Sequence, residues 1–128
     1  MIKVKFLAFS LATIMALASS AAFADGDAKK GEKVFKKCAA CHSIEAGKHK
    51  IGPSLAGIVG KKAGATDFTK YKALKGADFS WDEDTISAWI TNQKDFLKSK
   101  GLPTKTAMRI AIKKEDDRED VIAYLKAH

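Results

Sequence analysis

Apolar residues recur at helical spacing in several stretches of the chain, and between them the pattern gives way to glycine, proline and charge. Over residues 27–37, Val34 and Phe35 share a face with Ala28 and Gly31, and Asp27 stands at the N-cap position. Glycine inside a helix costs about 1 kcal/mol relative to alanine, so Gly31 predicts a close helix crossing. Further on, Ser80, Trp81, Asp82 and Glu83 read as a capping box, with Ser80 facing the N3 amide and Glu83 reaching back. That box predicts a helix over 81–92 with Ile86, Trp89 and Ile90 as its buried stripe, followed by a short helical turn over 94–97. The last element is predicted over 115–127. Glu115, Asp116 and Asp117 suit the positive end of a helix dipole, and Val121, Ile122, Tyr124 and Leu125 supply an apolar side able to cross the first helix at Gly31.

The connecting stretches carry their own signals. Residues 45–51 are polar, and Gly52, Pro53, Ser54 and Leu55 have turn chemistry. Gly57, Gly60 and Gly64, with Lys61 and Lys62 among them, form no phosphate-binding loop and read as positions where backbone can approach a flat ligand. Phe68, Tyr71 and Leu74 predict a further short helical turn. Residues 98–107, with Gly101 and Pro103, read as a loop that ends at Met108.

The first residues are of a different kind. Lys3 and Lys5 precede an apolar run over 6–17, and small residues lead to Ala22, Phe23 and Ala24, a pattern suited to signal cleavage before Asp25. The alternative is a retained anchor, since the apolar stretch with its small-residue tail approaches the roughly 20 residues of a spanning helix. Its strongly apolar part is short and a cleavage pattern follows directly, which favours residues 1–24 as a removed leader and 25–128 as one small domain. That leader points to export into the periplasm.

Two of the 23 basic residues lie in the leader, leaving 21 against 15 acidic ones, a formal charge of +6. Only Arg109 and Arg118 are arginines. Nucleic-acid readers lean on arginine with interleaved aromatics. A lysine-rich surface instead suits the steering of an acidic protein partner, or simple solvation.

Candidate chemistry concentrates in Cys38, Ala39, Ala40, Cys41 and His42. The spacing C-x-x-C-H fits attachment of a c-type haem, with two thiols adding to the vinyl groups of one porphyrin and the adjacent imidazole reaching iron. A C-x-x-C pair also suits a thiol redox site or half of a zinc site. A structural disulfide is a poor reading, because so small a loop gains little closure entropy. A redox pair is expected near a β-α-β pattern, and no such strands surround these cysteines. If His42 binds iron, its other ring nitrogen needs a fixed acceptor, and the Pro53 carbonyl is the candidate. His49 is a rival ligand but reads better as a structural group. Met1 and Met15 fall in the leader, so Met108 is the one thioether beyond it and the candidate for the opposite haem face, with core filler as the alternative. For Trp81 and Trp89 the choice is between core residues and indoles whose N–H groups need an acceptor such as a haem propionate.

Taken in order, these patches resemble a class I c-type cytochrome over nearly all of residues 25–128. They are G-E-K-V-F at 31–35, C-A-A-C-H at 38–42, K-H-K-I-G-P at 48–53, S-W-D-E at 80–83, Met108, and R-E-D-V-I-A-Y-L at 118–125. The resemblance implies an all-α, single-domain fold of about four to five helices wrapped around one covalently bound haem c. It implies thioethers to Cys38 and Cys41, axial ligands His42 and Met108, and the Pro53 carbonyl on the His42 ring. Trp81 is then expected near a propionate, Trp89 beside the methionine where the family often has tyrosine, and Tyr71 and Thr106 in the haem environment. It also implies a crossing of Gly31 and Phe35 against Tyr124 and Leu125, and a structural His49. The sequence departs from the pattern in Phe68, Thr69, Lys70 and Tyr71, in a longer loop before Met108, and in Arg109, Ile110 and Ala111 after it.

The function so implied is that of a soluble, monomeric mono-haem electron carrier, not an enzyme, cycling between ferric and ferrous iron. With His42 and Met108 both bound, iron has no position open to a substrate. Lys37, Lys50, Lys105, Lys113 and Lys114 then stand near the exposed haem edge and are expected to attract acidic docking surfaces of a reductase and of an oxidase or photosynthetic reaction centre in transient contacts, with no nucleic acid and no stable membrane insertion involved. The rival from another class is a haem enzyme or ligand sensor in which Met108 is core and iron is five-coordinate.

Overall fold

A computed structural model describes residues 26–70 and 72–128; the expected leader and Tyr71 lie outside the described residues. Four helices are present: α1 (Ala28–Phe35), α2 (Glu83–Thr91), α3 (Gln93–Ser99) and α4 (Glu115–Lys126). Among the described residues there is no sheet, only an antiparallel bridge between Lys62 and Ser80. No helix among them is long and apolar enough to cross a membrane.

α1 begins as its sequence requires. The Asp27 carboxylate accepts the backbone N–H groups of Lys29 and Lys30 at 2.9 and 3.2 Å, satisfying two of the donors orphaned at a helix start. Regular helix ends at Phe35 rather than Lys37. The next amides reach back three residues, Lys37 N–H to the Val34 carbonyl and Cys38 N–H to that of Phe35, and the chain tightens into turns.

The buried face of α1, Gly31, Val34 and Phe35, meets Val121, Ile122 and Leu125 of α4. Gly31 is what allows the approach. A Cβ built there would lie 1.9 Å from the Asp120 carbonyl oxygen and 2.8 Å from Tyr124 Cβ. The Phe35 and Tyr124 rings pack with centroids 5.3 Å apart, and the Asp27 N–H donates to the Asp120 carboxylate at 2.7 Å, closing the crossing at its other end.

α2 starts two residues later than predicted. The N-cap is Asp82, whose carboxylate accepts the Thr85 N–H at 2.8 Å while the Thr85 hydroxyl oxygen accepts the Asp82 N–H at 2.8 Å. Ser80 is instead in the bridge to Lys62, so the chain is still paired there and turns into the helix only after Asp82. Trp81 consequently precedes the helix, with its N–H on the Lys61 carbonyl. The predicted stripe Ile86, Trp89 and Ile90 is buried. α3 is longer than the expected turn, because Asn92 caps it by accepting the Asp95 N–H at 3.0 Å.

The helical turn expected over Phe68, Tyr71 and Leu74 is absent from the described residues. Lys75 N–H bonds to the Lys72 carbonyl and Ala77 N–H to that of Leu74, so successive three-residue turns carry the chain there. Leu74 is nonetheless fully buried and Phe68 half-buried. Gly76, within the second of these turns, has positive φ, as do Gly57, Gly60 and Gly64 in turns of their own earlier in the chain.

Replacing Gly31 by alanine sets a helix-propensity gain of about 1 kcal/mol against a backbone collision that only separation of α1 from α4 relieves. The collision dominates: a net loss of about 2 kcal/mol is expected, seen as a lower denaturant midpoint with an unchanged slope.

Candidate functional site

The turn after α1 presents the C-x-x-C-H segment. Ala39 N–H reaches the Phe35 carbonyl at 2.9 Å, and the N–H groups of Cys41 and His42 both reach the Cys38 carbonyl, at 3.0 and 2.9 Å. These bonds hold both thiols and the imidazole on one tight turn anchored by the α1–α4 crossing. The thiols of Cys38 and Cys41 are partly exposed and not joined in a disulfide.

His42 is fixed by its ring. Nδ1–H donates to the Pro53 carbonyl at 2.7 Å, which leaves Nε2 with its lone pair free to act as a ligand. Gly52 lies flat against that ring: a Cβ there would come within 2.5 Å of His42 Cε1 and 2.9 Å of Nδ1. Burial pushes the His42 imidazole below its ordinary value, against the pull of the Pro53 bond and with a smaller push from Lys50. The ring is therefore neutral at neutral pH, the form that binds metal.

Burial also pushes the Cys38 thiol up, with Lys37 opposing and Cys41 adding to the rise. Thiol redox pairs depend on a depressed thiolate, so this environment disfavours the thiol-redox reading. The zinc reading fares no better, because no group of three or more His, Cys, Asp or Glu among the described residues could hold a metal ion.

His49 is a brace. Its Nδ1 accepts the Ser54 N–H at 3.0 Å, and its Nε2–H donates to the Asp67 carboxylate at 2.7 Å, so neither nitrogen is left over. This ties the segment carrying Pro53 to the loop at Asp67 and Phe68, whose ring lies 5.3 Å from that of His49. The hydrogen bond from His49 holds the Asp67 carboxyl below its ordinary value.

Met108 belongs to a second cluster. Trp89 Nε1–H donates to its Sδ at 3.2 Å, and its backbone N–H donates to Thr106 Oγ1 at 3.2 Å. The segment that follows is pinned in turn: Gln93 Nε2 donates to the Ile110 carbonyl at 2.6 Å, Ile112 N–H to the Ile90 carbonyl at 2.8 Å, and Arg118 to the carbonyls of Ile112 and Lys113 at 2.8 Å each. The main chain from Ile110 to Lys113 is thus held by α3, α2 and α4 in turn. A cleft of about 460 Å³ opens beside Met108, with Thr91, Lys94, Lys105, Thr106 and Arg109 in its wall.

Behind Met108 stands a group of four rings that the sequence pattern identified only by halves. Trp81 and Trp89, 5.8 Å apart, both pack on Phe96 at 6.0 and 5.8 Å, and Phe79 meets Trp81 edge-on at 5.1 Å. Phe79 alternates with Trp81, which was the available signal; Phe96 lies on α3 beyond the extended Asn92, so no helical register links it to Trp89. Cys38 and Met108 are both half-buried on the same core, together with Leu55, Ile58, Val59 and Phe79. The imidazole of His42, the thioether of Met108 and the thiols of Cys38 and Cys41 together make up the donor set of a c-type haem site.

Comparison with known proteins agrees with this donor set. The family model "Cytochrome c" matches residues 28–128. The chain belongs to the cytochrome c family. Cytochrome c2 of Rhodospirillum rubrum is 40% identical over 128 residues, covering 94% of this chain and 95% of that one. Cytochrome c2 of Rhodobacter capsulatus is 39% identical over 130 residues, covering 93% and 95%. Among solved structures, cytochrome c2 from Paracoccus denitrificans superposes with a TM-score of 0.70 at 36% identity, covering 80% of this chain and 96% of that one. This cytochrome accordingly carries covalently bound haem c and is a mono-haem electron carrier.

Gly52→Ala is expected to drive the His42 ring off the Pro53 carbonyl, costing about 1–2 kcal/mol for a polar group left unpaired in a half-buried site. Thermal unfolding measures the loss, and accelerated exchange of the His42 Nδ1 proton locates it.

Proposed function

We propose that this protein is an exported, periplasmic carrier that shuttles single electrons between membrane-associated or periplasmic redox complexes of a respiratory or photosynthetic chain and does no catalysis of its own. The observation that carries this reading is the engagement of both axial candidates. His42 is held through Nδ1 by Pro53, leaving one nitrogen for iron, and Met108 is held through sulfur by Trp89 and through its main chain by Thr106. With each face of the haem assigned a ligand, no coordination position is left for a substrate.

In this reading Cys38 and Cys41 hold the haem as thioethers, and His42 and Met108 bind its iron. Trp81 and Thr106 serve the propionates, and Tyr71 belongs to the same environment. When bound, the haem supplies a one-electron ferric/ferrous couple, and a thioether opposite imidazole raises its potential relative to two nitrogen ligands. The protein's own part is to change little between the two states. His42 keeps its ring direction through Pro53, and the four-ring cluster and the core beneath it resist rearrangement.

The docking face is supported by charge and by one exposed apolar residue. Lys37, Lys50, Lys105, Lys113 and Lys114 are all exposed. Lys50 bonds the Ala39 carbonyl, within the C-x-x-C turn, and the neighbouring Ile51 is 76% exposed. A basic rim around a small apolar spot suits brief contact with acidic surfaces on a reductase and on an oxidase or photosynthetic reaction centre.

Two outcomes are expected. The purified protein is low-spin, with a ferric thioether-to-iron charge-transfer band, and binds cyanide or carbon monoxide slowly; Met108→Ala abolishes the band and speeds ligand binding at least tenfold. A wild-type protein that is high-spin and binds these ligands rapidly would be a haem enzyme or sensor instead. Association with an acidic redox partner slows steeply as ionic strength is raised toward 0.15 M, where charges are screened over about 8 Å; a flat rate would rule out steering by lysine.

A further inference from the structure

Gln93 is 5% exposed and is the one polar side chain buried with the core among the described residues. Burying an amide is unfavourable unless it is bonded. Asn92, in extended conformation, caps α3, and Gln93 follows as the first residue of that helix. From there its Nε2 donates to the Ile110 carbonyl at 2.6 Å. What that bond holds is set by how little else holds the chain nearby. Upstream of Met108 the last main-chain tie to a helix is the Leu102 N–H on the Leu97 carbonyl, and downstream the next is the Ile112 N–H on the Ile90 carbonyl. Over the strap between them, residues 103–111, Gln93 makes the one hydrogen bond between a helix and the main chain among the described residues. The bond from the Met108 N–H to Thr106 stays within the strap, and none reaches the main chain of Arg109 or Ala111.

We propose that Gln93 is a positioning residue, a latch that keeps this strap closed and so sets how readily an outside ligand displaces the Met108 thioether. The inference rests on the assignment of Met108 as an axial ligand. A small ligand gains that position when the sulfur leaves it and stays away, and the sulfur withdraws no further than its main chain allows. Residues 103–107 ahead of it have no bond to a helix, so the restraint comes from behind, at Ile110, two residues from Met108. While the latch is made, a sulfur that comes off is held nearby and returns. Once it is broken, the buried Ile110 carbonyl loses its donor and the strap swings from its more distant ties at Leu102 and Ile112. Gln93, Met108, Arg109 and Ala111 line the same cleft, so the latch stands where a small molecule would approach the sulfur.

The test uses the intact haem-loaded protein and imidazole as the probe. At saturating imidazole the rate of displacement reads release of the sulfur. Gln93→Met keeps the length of the side chain and removes the donor. It is expected to raise that rate about tenfold, the effect of losing one buried hydrogen bond, and to speed exchange of the Met108 and Ile112 amide protons by a similar factor while those of Val121 and Leu125 in α4 keep their protection. A second form replaces the peptide bond between Ile110 and Ala111 by an ester, which weakens the Ile110 carbonyl as an acceptor and leaves Gln93 untouched; a rise of about threefold is expected. If Gln93→Met does not accumulate, the ester form carries the test. Altered forms that bind imidazole at the wild-type rate would overturn the inference, as would faster exchange spread equally to Val121 and Leu125, the mark of a residue that merely stabilises the fold. A wild type without the ferric thioether-to-iron band would overturn the assignment of Met108 itself, whereas a wild type with the band and no response to loss of the latch would overturn only the role of Gln93.

Discussion

At Gly31 the main chain of α4 passes so close to α1 that no side-chain atom fits between them, and the placement of the haem-attachment turn descends from that contact. α1 is only eight residues long, too short to persist on its own. Its direction is set by the crossing, with the Asp27 amide on the Asp120 carboxylate at one end and the Phe35 ring on Tyr124 at the other. Because the turn bearing Cys38, Cys41 and His42 hangs from the last carbonyls of α1, the orientation of both thiols and the imidazole is inherited from α4, a segment nearly eighty positions away in the chain. Local sequence writes the turn, and a tertiary contact aims it.

Most of this was legible where a local rule coincided with a burial pattern. Asp27 as cap, the stripe Ile86, Trp89 and Ile90, the close approach at Gly31 and the Pro53 acceptor for His42 each follow from one residue type in one chemical situation, and each is in the structure. The misreadings have separate causes. Ser80 had the right chemistry for a cap, but it is paired with Lys62 in a bridge, and Asp82 with Thr85 supplied the cap instead. Phe68 and Leu74 had helical spacing, yet the chain between 72 and 77 closes as turns and still buries Leu74. At Ser80 a nonlocal bridge overrode a local preference, which a single sequence does not display, while at 72–77 short-range turn bonds took the place of helical ones.

The two halves of the site are built by different means. Around His42 the anchors are backbone groups, a proline carbonyl and a glycine with no side chain, on a loop braced by the ring of His49. Around Met108 they are side chains, Trp89, Thr106, Gln93 and Arg118, drawn from separate elements. Backbone anchors depend on the fold and tolerate changes of sequence elsewhere. Side-chain anchors can be exchanged one at a time.

Arg118 gives that second half an unusual dependency. From within α4 its guanidinium holds the carbonyls of Ile112 and Lys113 and reaches Ser87 Oγ of α2 at 3.3 Å. The strap that leaves Met108 is thus fastened to the same helix that positions the cysteine turn. A fluctuation that frays the long loop over 98–107 leaves the tether downstream of Met108 in place; one that lifts α4 loosens the segment after Met108 and the crossing that aims the cysteine turn together.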